Sequence, residues 1–222
     1  MKIVFLIPPS EAKLSSSFYK KEELSFAFEK PFSIIKNVNE KDLNCTWKRF
    51  EEALKLNKTI EKSDTIESIK RYIWVMYKSI NYDNFEDSSK KYFNENFLIL
   101  SGMYGILRPL DKIWNYKLPI ETKDLAKFWK TKIIYELNKI DCDYIVDLLP
   151  DSYKKMINFN EINTKVIRIN FIKNNGKKVS HWVKKIKWEW IKDICEKWIN
   201  DYKKFWKLDY SNEKLIDVFI TS

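Results

Sequence analysis

The sequence predicts a mixed α/β fold, with a central mixed sheet flanked by helices in a single domain spanning residues 1–222. Three observations lead there. Short apolar runs, Ile3 to Ile7, Phe97 to Leu100 and Tyr144 to Leu149, have the near-unbroken hydrophobicity of strands buried on both faces. Other stretches, clearest from Asp124 to Leu137, repeat apolar residues every three or four positions, as a surface helix does. The two patterns alternate loosely with no repeat, linker or low-complexity tract, which is the order of a mixed α/β domain. At 222 residues the chain can bury a sizeable core, and nine tryptophans predict that large rings fill it.

Lys2 to Ile7 opens as a strand, apolar after Lys2 and therefore central, and Pro8-Pro9 ends it. Ser10 to Ser17 follows as a loop. Glu22 to Phe28 reads as a helix closed by Pro31. Asn39 to Asn57 reads as one helix: Asn39 suits its cap, Glu40 and Asp42 its first turn, and Leu43, Trp47, Phe50 and Leu54 form a stripe. Ser63 or Asp64 suits the start of a segment running into Ile69, and Tyr72 to Met76 reads as a buried strand. Asp87 to Asn94 predicts a helix leading into the strand at Phe97.

Asp124 to Leu137 places Leu125, Phe128, Trp129, Ile133 and Leu137 on one side of a helix. Asp143 to Leu149 is a strand closed by Pro150. Lys165 to Ile172 alternates as a strand, Asn174-Asn175-Gly176 is a hairpin signal, and Lys177 to Ser180 is the returning strand. The longest helix is predicted from His181 to Trp206, amphipathic through Val183, Ile186, Trp190, Ile194 and Trp198. Leu215 to Ile220 closes the sheet as an edge strand.

Only four arginines stand against thirty-seven lysines, the bias that AT-rich coding DNA produces. Codon bias does not fix the balance of base over acid. A formal charge of +10 and a pI near 9.2 favour polyanionic partners, nucleic acid or phosphorylated small molecules. Cys45, Cys142 and Cys195 are isolated and make neither a disulfide framework nor a thiolate cluster. A single histidine excludes a His-rich metal site within the chain, and no cofactor is expected. No charged leader opens the sequence, and Ile3 to Pro9 is too short for a signal or a span, so the expected compartment is the cytoplasm.

The most site-like stretch is Phe97 to Tyr116. Two of the three glycines, Gly102 and Gly105, follow its apolar run, and Arg108-Pro109-Leu110-Asp111 then fixes a guanidinium and a carboxylate near a proline. A tight turn between core elements with a local ion pair reads from the same residues. In the loop after the first strand, Ser10 and Lys13 are placed to hold a phosphate or carboxylate; equally, Glu11 and Lys13 can pair with each other. Between Lys177 and Lys207 ten lysines and His181 face four acids, with Lys184, Lys185 and Lys187 in the first turns of the predicted helix, where its dipole attracts anions.

Ser101-Gly102-Met103-Tyr104-Gly105-Ile106-Leu107-Arg108-Pro109-Leu110-Asp111, followed by Tyr116, resembles the signature of the YaaA-type peroxide stress proteins. Four other segments agree in order. Pro8-Pro9-Ser10-Glu11-Ala12-Lys13 is similar to that family's PPSE(G)K motif, Tyr77-Lys78 through Tyr82 to its F-K-G-D-V-Y segment, and Asp147 to Tyr153 to its N-L-A-S-x-E-Y. Asn175-Gly176-Lys177 through Ser180-His181 and Lys184-Lys185 is similar to its N-G-K…S-(H/F)…A-K-K-x-R-G. The chain departs at Ser79 and Ile80, where the family has glycine and aspartate, and at Lys187-Trp188, where it has arginine and glycine. The latter keeps the charge without the bidentate fork.

The resemblance implies a role in peroxide stress and DNA binding through a helix-hairpin-helix-like element in an unusual fold. Ser101 to Ile106 is the only stretch with the glycines for such a hairpin, Gly102 and Gly105 letting backbone N–H groups approach phosphate. The expected partner is DNA, duplex or structured, bound by a monomer without regard to sequence. Phosphate contacts are expected from Ser10, Lys13, Lys78 and Arg108, from His181, Lys184, Lys185 and Lys187, and around Tyr104 and Asp111. The alternative is an enzyme on a phosphorylated or nucleic-acid substrate, with Ser10, Lys13, Arg108, Asp111, His181 and Lys184 converging at strand ends. Direct peroxide or iron chemistry is disfavoured. Cys142 lies between two aspartates, Cys195 on an apolar helix side and Cys45 beside Trp47, none an electropositive setting, and one histidine cannot supply two Glu-x-x-His pairs.

Overall fold

The structure is a computed structural model that describes residues 1–173, 182–207 and 214–221. Strand β1 (Ile3–Ile7) is buried at all five positions, as its unbroken apolar run requires. A long loop leads to α1 (Phe32–Ile35), and Glu22 to Phe28, predicted helical, belongs to that extended loop. The predicted helix from Asn39 to Asn57 is two helices. Asn39 closes a reciprocal capping box with Asp42 at the start of α2 (Glu40–Leu43), but Asn44 turns left-handed at φ 50° and α3 (Trp47–Lys58) begins in a new direction. The predicted stripe is thereby broken: Leu43 is fully buried while Trp47 is 84% exposed.

The next segment corrects the sequence reading most. A short strand β2 (Ile66–Glu67) runs into α4 (Ser68–Arg71), and Tyr72 to Met76, predicted as a strand, is instead the link into α5 (Val75–Ile80). Helix α6 (Asp87–Asn96) then feeds directly into β3 (Phe97–Ser101), which turns back as β4 (Gly105–Leu107). The two strands pair antiparallel through Ile99–Leu107 and Ser101–Gly105. The glycine-bearing hairpin therefore joins strands, and the helix-hairpin-helix placed at Ser101 to Ile106 is overturned. Strand β5 (Lys112–Ile113) pairs with β2 in a small second sheet, and α7 (Leu125–Lys139) follows close to its predicted bounds.

Strand β6 (Tyr144–Asp147) and β7 (Lys165–Lys173) complete the parallel set. Helix α8 (Trp182–Glu196) ends ten residues before the predicted Trp206. Trp198 is left-handed at φ 48°, and a 3-10 segment, Tyr202–Lys207, follows. Strand β8 (Lys214–Thr221) is the expected edge strand and pairs antiparallel along β7. The hairpin signal at Asn174 to Gly176 and the strand predicted at Lys177 to Ser180 lie outside the described residues.

The main sheet has the order β4-β3-β1-β6-β7-β8, with β1, β3, β6 and β7 parallel and both edge strands antiparallel. Large rings fill the core as predicted. Phe5 stacks on Phe97 at 4.5 Å, Phe97 on Phe93 of α6 at 4.3 Å, and Trp190 of α8 meets Phe5 edge-on at 6.3 Å. The carboxyl ends of β1, β3 and β6 come to one edge, and the loops that leave them are where an open parallel sheet presents its ligand crevice.

Candidate functional site

Pro8 and Pro9 stop β1, and the loop that follows is pinned rather than free. Lys13 forms an isolated antiparallel bridge with Tyr72, Leu14 N–H donates to Arg71 O at 2.8 Å, and Ile73 N–H to Ala12 O at 3.2 Å. Ser10 is buried, and its Oγ accepts from Trp74 N at 3.2 Å. Beside this loop lies a small pocket lined by Ser10, Glu11, Lys13, Gly102, Tyr116 and Lys117, closed by Leu118, Pro119 and Tyr153. Its free interior is about the size of one water molecule.

Lys13 is half-buried at this pocket. Its Nζ donates to Ser10 O at 3.1 Å and Glu11 O at 3.3 Å, and stands over the Tyr116 ring at 4.4 Å. The Glu11 carboxylate pairs with Lys117 at 3.0 Å instead, so of the two readings of this loop the Glu11–Lys13 ion pair is not formed. Among the described residues no carboxylate lies within ion-pair distance of Lys13. Burial pushes its ammonium down to about 7; Lys117 and Arg71 add to the shift and Glu11 opposes it.

Below the lysine is a chain of hydroxyls. Tyr72 and Tyr116 share a hydrogen bond at 2.8 Å, and Tyr116 shares another with Ser101 at 2.7 Å. Ser101 Oγ in turn accepts from Met103 N and Tyr104 N. Burial raises Tyr72, and pushes Tyr116 up to about 12, so both hold their protons at neutral pH. Arg71 anchors the whole loop from beneath. It is fully buried and donates to the carbonyls of Leu14, Ser16 and Ile113 and to Ser17 Oγ, with no carboxylate partner among the described residues. Its Nε has no hydrogen-bond partner, and burial lowers its pKa.

A second group of charges sits at the end of β6, the neighbour of β1. Asp147 is buried, accepts Leu149 N at 3.0 Å, and pairs with Arg168 Nε at 3.2 Å across the β6–β7 ladder. Lys187 of α8 donates to Leu148 O and has no carboxylate within ion-pair distance among the described residues. Burial pushes Lys187 down to about 8; Asp147 opposes that shift and Lys154 adds to it. Lys13 and Lys187 are thus two half-buried ammonium groups held against main-chain carbonyls at the same sheet edge.

Other residues expected at the site fall elsewhere. Gly102 and Gly105 are buried, and packing explains both: a Cβ on Gly102 would stand 2.3 Å from Leu118 O, and one on Gly105 2.7 Å from the Trp129 ring. The amides after Gly102 are already spent on Ser101. Tyr104 is buried and donates to Glu22 at 2.7 Å. Asp111 and Arg108 form no ion pair. Asp111 accepts Ser25 N, Ser25 Oγ and Arg108 N, while the Arg108 guanidinium donates to Glu95 O. They line a shallow depression with Leu24 and Asn94 that shares no residue with the Lys13 pocket. Lys78 is exposed on α5, in an apolar groove with Phe18, Tyr72, Ile73 and Tyr77.

Lys184 and Lys185 lie in the first turn of α8, where the backbone alone is described, and His181 lies outside the described residues. The structure therefore brings together Ser10, Lys13, Tyr72, Tyr116 and Tyr153 but not Arg108 or Asp111. Arg71 and Tyr72 were missed because a buried cation in an apolar run has no periodic signal. Cys142 and Cys195 are both raised in pKa by burial, which opposes thiolate chemistry, and no cluster of metal ligands occurs among the described residues. No helix among them is long and apolar enough to cross a membrane.

Comparison with known proteins gives a consistent result. The family described as peroxide stress protein YaaA matches residues 1–214. A UPF0246 protein of Rickettsia bellii strain OSU 85-389 is 31% identical over 177 residues, 72% of this chain and 71% of the relative. One of Finegoldia magna is 31% identical over 162 residues, 68% of this chain and 65% of its own length. One of Rickettsia rickettsii strain Iowa is 26% identical over 160 residues, 68% of this chain and 62% of its own. On the match across residues 1–214, the chain belongs to the YaaA family of peroxide stress proteins.

Proposed function

We propose that this protein binds DNA in the response to peroxide stress, contacting phosphates through the basic carboxyl edge of its parallel strands. The observation that supports this most directly is the pair Lys13 and Lys187. Each is a half-buried ammonium offered at strand ends, and each donates to carbonyls and lacks a carboxylate partner among the described residues. A buried cation without a counter-ion is destabilising on its own and is relieved by an anion from outside. The formal charge of +10 adds a long-range attraction for a polyanion. Contacts of this type read phosphate and not base, so the binding is independent of sequence and steeply salt-dependent.

The test is a titration of labelled duplex, single-stranded and junction DNA across a salt series, with Lys13→Met and Lys187→Met alongside the native protein. At pH 6, where both amines are protonated, each substitution is expected to weaken binding and reduce the salt slope by about 1. Absence of binding at low salt, or variants that bind as the native protein does, overturns the reading. The second reading, an enzyme on a phosphorylated or nucleic-acid substrate, is favoured by one observation. The Lys13 amine is held by two main-chain carbonyls without a carboxylate partner among the described residues, and burial pushes it down to about 7, a setting that suits a reactive amine and that simple phosphate binding does not require.

A further inference from the structure

We propose that Lys13 is a nucleophile that forms a Schiff base with the aldehyde of a phosphate-bearing, ring-opened sugar. Four features of the pocket point there. The Nζ is fixed by Ser10 O and Glu11 O and by the Tyr116 ring face, so the amine is positioned without being neutralised by a carboxylate. The free interior next to it holds about one water molecule, enough for a narrow carbonyl end and too little for a closed sugar ring. Arg71, buried beneath the loop with no carboxylate partner among the described residues, supplies positive potential to the pocket floor, while Lys117 on the wall balances the Glu11 carboxylate it is paired with. Ser10 Oγ accepts from Trp74 N and keeps its own proton to donate.

The chemistry requires no co-reactant. The Lys13 lone pair attacks the carbonyl carbon, a C–N bond forms, and the C=O π electrons move to oxygen. One proton passes from nitrogen to that oxygen to give the carbinolamine; its hydroxyl then takes up a second proton and leaves as water while the nitrogen lone pair closes the C=N bond, and the iminium nitrogen gives up its remaining proton to solvent. Desolvation of the amine, with Lys117 and Arg71 adding to the shift and Glu11 opposing it, pushes it down to about 7, so free amine is available near neutral pH. A solvated lysine has on the order of 10³-fold less free amine at that pH. Two sources present the same aldehyde. One is the ring-opened abasic deoxyribose of damaged DNA, which rests on the DNA-binding reading above; the other is a small free sugar phosphate, which does not.

The experiment is borohydride trapping at pH 7, in which reduction turns the imine into a stable secondary amine, followed by peptide mass mapping. One arm uses a duplex with a single abasic site, a second uses glycolaldehyde phosphate, and binding of intact duplex is measured separately. The adduct is expected on Lys13 at least about tenfold above any exposed lysine. Lys13→Arg keeps the cation and should abolish that adduct, and its circular dichroism checks that the fold survives. Trapping of abasic DNA at Lys13 identifies DNA as the source, and trapping of the small aldehyde alone identifies a metabolite. If neither arm labels Lys13, or label follows lysine exposure, the proposal is overturned, while intact-duplex binding still decides the DNA reading on its own.

Discussion

Lys13 shows how one side chain can burden a fold. Its ammonium is pushed down to about 7 in the folded chain, against 10.5 when solvated. The unfolded chain then binds the extra proton between those values, so native stability rises with pH through that window and the full penalty applies below pH 7. Replacing Lys13 by methionine removes the penalty along with two hydrogen bonds to carbonyls. The variant is expected to be more stable at pH 6 by roughly 2 kcal/mol and less stable by about as much near pH 10, where the penalty is nearly gone and the two hydrogen bonds are still lost. Urea unfolding of both proteins from pH 6 to pH 10 measures this; a difference that stays flat would mean that Lys13 titrates as an ordinary solvated lysine. Ser10 and Lys13 were legible in the sequence because two prolines end a buried strand just before them. Their grouping with Tyr72, Tyr116 and Tyr153 was not, since these tyrosines come from three distant segments that no local spacing connects.

The β3–β4 hairpin shows the opposite error, in which conspicuous residues were given an external role that packing already explains. Gly105 sits at φ 69° with the Trp129 ring against the place of its missing Cβ, and Trp129 Nε1 also donates to Gly102 O at 2.7 Å. Gly105→Ala adds a left-handed penalty of about 1–2 kcal/mol to an overpacking penalty of about 1–3 kcal/mol. The expected loss of stability is therefore about 3 kcal/mol by urea unfolding. A glycine kept for phosphate approach would give another result: near-native stability with DNA affinity lost. The continuous apolar runs of β1, β3 and β6 were readable because burial on both faces leaves one pattern. Ser68 to Ile80 was not, because Tyr72-Ile73-Trp74-Val75 has strand propensity that the tertiary anchoring of Arg71 and Tyr77 overrides. The split of α2 from α3 was hidden for a related reason, since Asn44 takes the left-handed conformation that a helical stripe gives no hint of.

Across the molecule, a charge of +10 attracts any polyanion, and that attraction alone would be spread over the surface. What distinguishes the proposed interface is location: Lys13 and Lys187 stand at the carboxyl ends of β1 and β6, whereas Lys2 and Lys165 stand at the amino ends of β1 and β7. Lys2 and Lys165 are exposed, and Lys2 is paired with Asp141. Replacing either pair by methionine removes the same formal charge, so the two double variants have equal net charge and differ only in where it was lost. At pH 6 Lys13 is protonated and both comparisons remove full charges. The carboxyl-edge double variant is expected to lose at least about tenfold in duplex affinity and to flatten the salt slope by 1–2. The amino-edge variant should change affinity by less than about threefold at physiological salt, because its charges act from beyond a screening length of about 8 Å. Equal losses from both would mean that net charge, and not the sheet edge, holds the DNA. A loss confined to the carboxyl edge would place the polyanion beside Lys13, where an aldehyde in a damaged strand would meet the amine.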